Sequence, residues 1–258
     1  MSLPTTAIDR GTLLAAFNAE LQPERFKDYG PNGLQVEGKP HIRKLVSGVT
    51  ASRALIDAAI EGGADALLVH HGLFWRGQDG TVTGWMKQRL QRLLAHDINL
   101  FAYHLPLDAH PTLGNNAQLG ARLGLQATGR FGEQDLGFIG RRTDGGAFVD
   151  ADDLAGLLES VLNRPATHVG QAQKAIKTIA WCSGGAQGYF EAAIAAGAQA
   201  FITGEISEPQ AHLARECDVL FYACGHHATE RYGAPALAAH VAARLGIAHE
   251  FIDIDNPA

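Results

Sequence analysis

Short apolar runs alternate along the chain with stretches whose apolar residues recur at helical spacing, a pattern that is typical of α/β proteins. In the first half, strands are predicted at Leu45–Val49, Ala66–Val69 and Leu100–Tyr103. A helix capped by Ser52 is predicted between the first two strands. Another is predicted over Trp85–Ala95, with Met86, Leu90, Leu93 and Leu94 on its apolar side. Strand–helix–strand order predicts mostly parallel sheets flanked by helices.

The second half of the chain repeats this order. Strands are predicted at Ile176–Trp181, Ala200–Thr203 and Val219–Ala223, and helices at Tyr189–Ala196, Pro209–Arg215 and, as one long helix, Thr229–Leu245. The α/β class is therefore predicted for both halves, with Asp150–Leu162 as a further helix of the second.

The two halves also share a short internal similarity. Residues 58–69 read AAIEGGADALLV and residues 192–203 read AAIAAGAQAFIT, with six identities in twelve positions at a constant offset of 134. An Ala-rich helix–Gly–strand unit would look similar without any duplication, and that alternative stays open. The duplication hypothesis predicts two similar, interlinked α/β lobes, the first formed by 1–126 and 226–258 and the second by 127–225.

Composition narrows the class of protein. The 258 residues carry a formal net charge of −6, which argues against an electrostatic surface for nucleic acid or anionic membranes. Three cysteines, at 182, 217 and 224, are an odd number without a Cys-x-x-Cys pair, so buried thiols in a reducing compartment are expected. No apolar run approaches a membrane span, and residues 1–10 lack the apolar segment of a leader. These features predict a cytoplasmic protein.

The candidate chemistry lies just beyond the carboxyl ends of predicted strands. His70 and His71 follow the strand ALLV, and a chain that turns at Gly72 can direct both imidazoles into one crevice. Neutral imidazole binds first-row metals such as zinc, iron, nickel and copper. An incidental histidine pair is the alternative.

A histidine and a carboxylate follow the next strand. Pro106 disfavours a helix here, so His104 and Asp108 are predicted to extend from a loop. Asp108 is a candidate metal ligand, with helix capping or turn formation as the alternative. His104 is a candidate ligand, a partner for a neighbouring carboxylate, or an acid/base.

The third group is His226 and Glu230, which follow the strand VLFYA. A helix that begins here would place both side chains on one face, one turn apart, as a chelating pair. The alternative is a helix start without any metal, in which Thr229 or His227 caps the helix and Glu230 is favourable in the first turn.

Together these residues supply three histidines and two carboxylates, more than the three protein ligands of a typical catalytic zinc. The set His70, His71, Asp108, His226 and Glu230 suits two metal ions about 3.5–4 Å apart.

Two weaker candidates follow other strands. Ser183-Gly184-Gly185 is either an anion-binding nest or a tight turn, and Glu205 either contacts a substrate or is a solvated loop acid.

Five segments of the chain resemble a known family. They are PNGLQVEG at 31–38, VHHGLFW at 69–75, YHLPLDAHPTLGNN at 103–116, TGE at 203–205 and GHHATERYG at 225–233. They resemble the Nif-three-like dinuclear metal-centre family, whose members are often named GTP cyclohydrolase 1 type 2 homologs. The chain is similar to the short bacterial form, which lacks an extra domain between the lobes.

The resemblance implies a Nif-three-like fold, the same five ligands with Glu230 bridging two divalent ions (Zn, Fe, Mn or Ni), and His104 as an adjacent or extra ligand. It also implies a toroidal homohexamer, a trimer of dimers. The family name implies hydrolytic opening of the guanine ring of GTP, with His104 or Glu205 as candidate proton carriers. The rival hypotheses are a non-enzymatic metal-containing ring that binds a regulatory partner or nucleic acid, and a metal store.

Overall fold

The computed structural model describes residues 6–171 and 175–258, so residues 1–5 and 172–174 of the predicted lobes lie outside the described residues. Within those ranges the strands are β1 (Ile8–Asp9), β2 (Gly33–Val36), β3 (His41–Ile42), β4 (Lys44–Thr50), β5 (Ala66–His71), β6 (Asn99–Ala102), β7 (Leu125–Phe131), β8 (Gly137–Arg142), β9 (Thr167–Val169), β10 (Ile179–Trp181), β11 (Ala200–Thr203), β12 (Leu220–Ala223) and β13 (Ala248–Phe251).

The α-helices of the described chain are α1 (Arg10–Leu21), α2 (Arg53–Glu61), α3 (Gly84–Ala95), α4 (Leu105–Ala109), α5 (Asn115–Arg122), α6 (Ala151–Leu162), α7 (Phe190–Ala195), α8 (Glu208–Glu216), α9 (His226–Glu230) and α10 (Gly233–Leu245). None of them, in the ranges that the structure covers, combines the length and the apolar character that a membrane span requires. The cytoplasmic location stays a prediction.

The chain forms two compact units. The first contains described residues up to 114 together with 233–255, and the second contains 115–232 with 256–258. These limits differ from the predicted lobes at both joins. Helix α5 belongs to the second unit because Leu119 lies in the same core as Trp181, whose indole N–H donates to the Asn116 carbonyl (2.8 Å). Helix α9 belongs there because Ala228 joins the same core.

The first unit is built around a five-stranded sheet in the order β13-β4-β5-β6-β2, parallel except for β2. Successive strand residues alternate between two cores. Leu68 packs with α1 and α10, whereas Leu67 and Val69 pack with α2 and α3. The sheet is thus covered by helices on both faces, as predicted. Ser52 caps α2 by accepting from the Leu55 N–H (3.2 Å), which confirms its predicted role.

The second unit contains a six-stranded sheet in the order β7-β8-β10-β11-β12-β9. Only β10, β11 and β12 are mutually parallel, so the prediction of mostly parallel strands is confirmed for the first unit and for the centre of the second. The strands β7, β8 and β9 are antiparallel additions. One face packs on α5 and α6, and the other carries a cluster of aromatic rings that includes Phe190, Phe201 and Phe221.

The offset of 134 residues is repeated in backbone hydrogen bonds. Three backbone bonds at the end of α2 have counterparts 134 residues later, after α7. The bonds after α2 are Gly62 N–Ala58 O, Gly63 N–Ile60 O and Ala64 N–Ala59 O. Their counterparts, in the same order, are Ala196 N–Ala192 O, Gly197 N–Ile194 O and Ala198 N–Ala193 O. The bond from Asp65 N to Lys44 O also matches the one from Gln199 N to Thr178 O. Because positions 44 and 178 lie outside the similar segments, the equivalence extends beyond one helix–Gly–strand unit. This observation favours the duplication hypothesis.

Two helix predictions are wrong, and both involve proline. Pro106 lies in the first turn of α4, so His104 and Asp108 flank a short helix where a loop was predicted. The predicted helix 229–245 is divided into α9 and α10. Pro235 cannot donate to a carbonyl within a continuous helix, but it is tolerated in the first turn of a helix that begins at Gly233.

Two burial predictions also need correction. Leu94, predicted on the apolar side of α3, is 57% exposed, whereas Met86, Leu90 and Leu93 are buried. The expectation of buried thiols is confirmed for Cys182 and Cys224 and wrong for Cys217, which is exposed directly after α8.

Candidate metal centre

Three imidazoles come together in the first unit. The rings of His70 and His71, at the end of β5, have centroids 4.5 Å apart, and His104 lies 4.9 Å from the first and 5.8 Å from the second. One nitrogen from each ring lies within 4.8 Å of the others. This arrangement agrees with the prediction that both histidines at the end of β5 point into one site. Three ring nitrogens at this spacing form a group that could hold a metal ion.

An oxygen atom contacts Nδ1 of each of these rings. His70 Nδ1 lies 3.0 Å from the Tyr103 carbonyl, and His71 Nδ1 lies 3.0 Å from Thr50 Oγ1. His104 Nδ1 lies 2.7 Å from Asp28 Oδ1. Carbonyl and carboxylate oxygens only accept, so the neutral tautomers of His70 and His104 carry the proton on Nδ1 and the lone pair on Nε2, whereas the Thr50 hydroxyl at His71 can donate or accept. This is the arrangement that orients histidine ligands in metal sites.

Asp108 adds a carboxylate to this group. Its Oδ1 lies 3.5 Å from His70 Nε2, and its side chain is buried. The helix α4 holds it there, and that helix begins where the Leu105 N–H donates to Asp28 Oδ2 (2.9 Å). A buried carboxylate beside imidazole nitrogens fits a cation better than it fits helix capping, the alternative left open by the sequence.

Asp28 is a site residue that the sequence did not reveal. It is 3% exposed at its side chain and accepts from the Tyr29 N–H (2.6 Å) and from Asn32 Nδ2 (2.9 Å), in addition to its bonds to His104 and Leu105. Burial raises its pKa, but these hydrogen bonds and His104 outweigh burial, so the pKa lies below 3.8. Asp28 is therefore an ionised acceptor that fixes the His104 ring.

The second unit carries a histidine and a carboxylate on one helical turn, as predicted. His226 Nε2 lies 3.2 Å from Glu230 Oε2, and His226 Nδ1 lies 2.6 Å from Glu205 Oε1. The bond to Glu230 is the largest influence on His226. It outweighs burial and, with Glu205, raises the pKa of the imidazole to about 9. Glu205 is thus brought to His226, which the sequence could not specify.

The loop Ser183-Gly184-Gly185 passes close to this pair. Gly184 has φ +68°, and a Cβ there would lie 1.9 Å from Glu230 Oε1. Its N–H donates to Thr229 Oγ1 (2.9 Å), and its carbonyl accepts from the Gly204 N–H (2.8 Å). Because the Ser183 N–H also donates, to Asn116 Oδ1 (2.7 Å), the tight-turn interpretation fits better than an anion nest.

The donor chemistry fits a divalent metal in both units. The described residues contain clusters of His, Asp and Glu that could hold a metal ion. In the first unit the buried Asp108 carboxylate lies beside the imidazole of His70, and in the second the buried Glu230 carboxylate lies beside that of His226. Nδ1 of each ring contacts an oxygen atom. Mixed nitrogen and oxygen donors suit zinc, iron, manganese or nickel, and they do not select among these ions.

Comparison with known proteins gives consistent matches over nearly the whole chain. The model of the family Duf34/NIF3 (NGG1p interacting factor 3) matches residues 8–257. A protein of Neisseria meningitidis serogroup A named GTP cyclohydrolase 1 type 2 homolog is 52% identical over 252 residues, which are 96% of this chain and 99% of that protein.

Solved structures show the same fold. The structure of the protein ybgI, described as of unknown function, is similar with a TM-score of 0.93 and 46% identity, covering 97% of this chain and 100% of that one. The Thermus thermophilus protein TTHA1606 is similar with a TM-score of 0.86 and 33% identity over 97% and 100% of the two chains.

The pKa of His226 leads to a testable pH dependence of the metal-free protein. Since this pKa is about 9 in the folded chain and the ordinary value is 6.5, protonation stabilises the folded state fully below about pH 6.5. The contribution is lost as the pH rises through about 9. NMR titration should place His226 near 9, with a larger decrease in Glu230→Gln than in Glu205→Gln.

His249 provides an internal control for this titration. Burial holds the pKa of His249 below 6.5, and neither substitution should move it. A His226 pKa near 6.5 in the unsubstituted protein would contradict the influence assigned to the two carboxylates.

Proposed function

The chain belongs to the DUF34/NIF3 family, and on this premise we propose that it binds two divalent metal ions and hydrolyses a nucleotide or a related small molecule. The observation that carries the proposal is the orientation of the histidines. Nδ1 of His70 lies beside a carbonyl oxygen and Nδ1 of His226 beside a carboxylate oxygen, and because both oxygens only accept, Nε2 of each ring is the nitrogen suited to a metal.

The proposed ligand set is His70, His71, Asp108, His226 and Glu230, with Glu230 as the carboxylate shared by two ions. Both carboxylates are buried, and a buried carboxylate is stabilised in its ionised form by a nearby cation. The ligands come from both units of the chain. Removing a carboxylate from either unit should therefore affect the binding of metal by the whole protein.

Two side chains beside the ligands are candidates for moving protons. A bound metal pair lowers the pKa of water, so that a nucleophile exists at neutral pH. His104, oriented by the ionised Asp28, is placed to accept or deliver a proton at Nε2. Glu205 is exposed, and we propose it as the second proton carrier. Its hydrogen bond to His226 Nδ1 also positions the imidazole ring.

GTP is the substrate that we propose to test first, because the Neisseria relative is named GTP cyclohydrolase 1 type 2 homolog. The corresponding reaction is hydrolysis of the guanine ring, followed by release of formate. We also propose that the chain assembles as a homohexamer, a trimer of dimers forming a toroid.

Metal content per chain tests the ligand set. Protein purified without added metal or an affinity tag is expected to hold about two ions per chain, and Glu230→Ala and Asp108→Ala should each lose most of them. The exposed histidine of His212→Ala serves as a matched control that should keep both ions. One ion or none in the unsubstituted protein, unchanged in both carboxylate variants, would disprove the proposed centre.

Formate release from GTP tests the reaction. Asp108→Ala should abolish it together with the metal. Asp28→Asn and His104→Gln should keep the metal and lower kcat by about 10²–10⁴-fold, the range expected for loss of general acid–base catalysis. No turnover of any common nucleotide by fully metal-loaded protein would favour the non-enzymatic alternative.

Sedimentation equilibrium tests the assembly. The expected mass is six times the 27.4 kDa of one chain, and it should not depend on protein concentration in the micromolar range. A stable monomer or dimer under these conditions would contradict the hexamer while leaving the metal proposal intact.

A further inference from the structure

Two of the conspicuous sequence segments, 31–38 and 69–75, meet beside the imidazole cluster of the first unit. Gln35 Oε1 accepts from the Leu73 N–H (2.8 Å), while Gln35 Nε2 donates to the Pro31 carbonyl (2.8 Å). The approach is close, because a Cβ at Gly72 would lie 2.3 Å from Gln35 Oε1. The amide of Gln35 therefore joins the two segments.

Neighbouring residues reinforce this connection. The Arg76 N–H donates to the Tyr29 carbonyl (2.6 Å), and the Arg76 guanidinium donates to the Asp28 carbonyl. A Cβ at Gly30 would lie 2.4 Å from the Phe74 carbonyl oxygen. The loops at 28–32 and 72–78 are thus joined on both sides of the aromatic residues that they carry.

These loops present two aromatic rings at the histidines. Trp75 lies edge-on to His104, with centroids 5.0 Å apart and planes at 88°, and 6.1 Å from His71. Tyr29 lies 6.0 Å from His104 at 66° and is 60% exposed. Aromatic side chains gain free energy from burial, so a tyrosine held in solvent beside a polar cluster suggests a binding surface.

The space beneath Trp75 does not suit a ligand. The cavity that Asn32, Gln35, His70, Trp75 and His104 help to line has a volume of about 10 Å³, enough for no more than one water molecule. An aromatic ligand would therefore have to contact Tyr29 and Trp75 from the solvent side, where its substituents can reach the imidazole cluster.

We propose that Tyr29 and Trp75 form a wall on which a planar heteroaromatic ring of the substrate stacks beside the metal ligands. This inference rests on the proposed function and adds the residues that would recognise the ring. Aromatic stacking accepts any base, because every base presents a π-face. The wall therefore selects for a ring over a bare sugar phosphate and does not by itself distinguish guanine from adenine.

Calorimetric titration with GMP and with ribose 5-phosphate isolates the contribution of the ring, since the two ligands share the sugar and phosphate. Metal-loaded protein should bind GMP at least tenfold more tightly. Trp75→Leu should weaken GMP binding about tenfold and leave ribose 5-phosphate unchanged, whereas Trp75→Phe should retain most of the affinity. Trp85→Leu is the control for the substitution itself, because Trp85 is an exposed tryptophan of the first unit that lies beneath the Arg89 guanidinium and is not part of the proposed wall, and it should change neither affinity.

Tyr29→Leu provides a second variant in case Trp75→Leu does not fold, and it should also weaken GMP binding selectively. Equal affinities of the unsubstituted protein for the two ligands would overturn the wall. Equal losses for both ligands in a folded variant would do the same. If the native protein holds no metal, the proposed function fails, and guanosine titrated against ribose into that metal-free protein then tests the wall separately.

Discussion

The orientation of the imidazole rings is the constraint on which the candidate site depends. A histidine whose Nδ1 is held by an acceptor has a defined ring plane and a defined lone pair, so metal binding does not have to pay for ordering it. In the first unit, the oxygens that contact Nδ1 of His70 and His71 come from the ends of neighbouring strands. Tyr103 follows β6, and Thr50 is the last residue of β4, directly opposite His71 in the parallel register. A register shift of one residue between β4 and β5 would turn the Thr50 side chain to the other face of the sheet, away from His71.

The internal repeat relates the different side chains that the two units carry at equivalent positions. An offset of 134 makes Gly204 and Glu205 the equivalents of His70 and His71. In the first unit this strand end carries the imidazoles. In the second, a Cβ at position 204 would lie 2.6 Å from the Gly184 carbonyl oxygen, so a side chain is excluded there and the proposed ligands lie on α9. One strand–helix framework thus carries the proposed ligands in the first unit and close backbone packing in the second.

The parts of this arrangement that follow from local pattern could be predicted from sequence. Strand β11 was predicted with both ends correct, because four consecutive buried residues lie between turn-forming segments. His226 and Glu230 were paired correctly because one helical turn fixes their separation. The errors at Pro106 and Pro235 arose because proline breaks a helix interior but is tolerated in a first turn, and only tertiary packing decides where that turn begins.

Asp28 and the aromatic wall could not be predicted, because their partners are distant in sequence. Asp28 lies 76 residues before His104, and no spacing rule connects them. Tyr29 has no local signal at all, since its position follows from bonds between two loops.

The raised pKa of His226 has a consequence for metal binding. In the metal-free chain a proton on His226 compensates the buried Glu230, which is why the pKa of that imidazole is raised. A divalent cation could replace this proton, because it would supply positive charge beside the buried Glu230. Metal uptake near neutral pH should then release protons, and the affinity should rise with pH until His226 has lost its proton. The two carboxylates that would favour the metal therefore also favour its competitor, the proton.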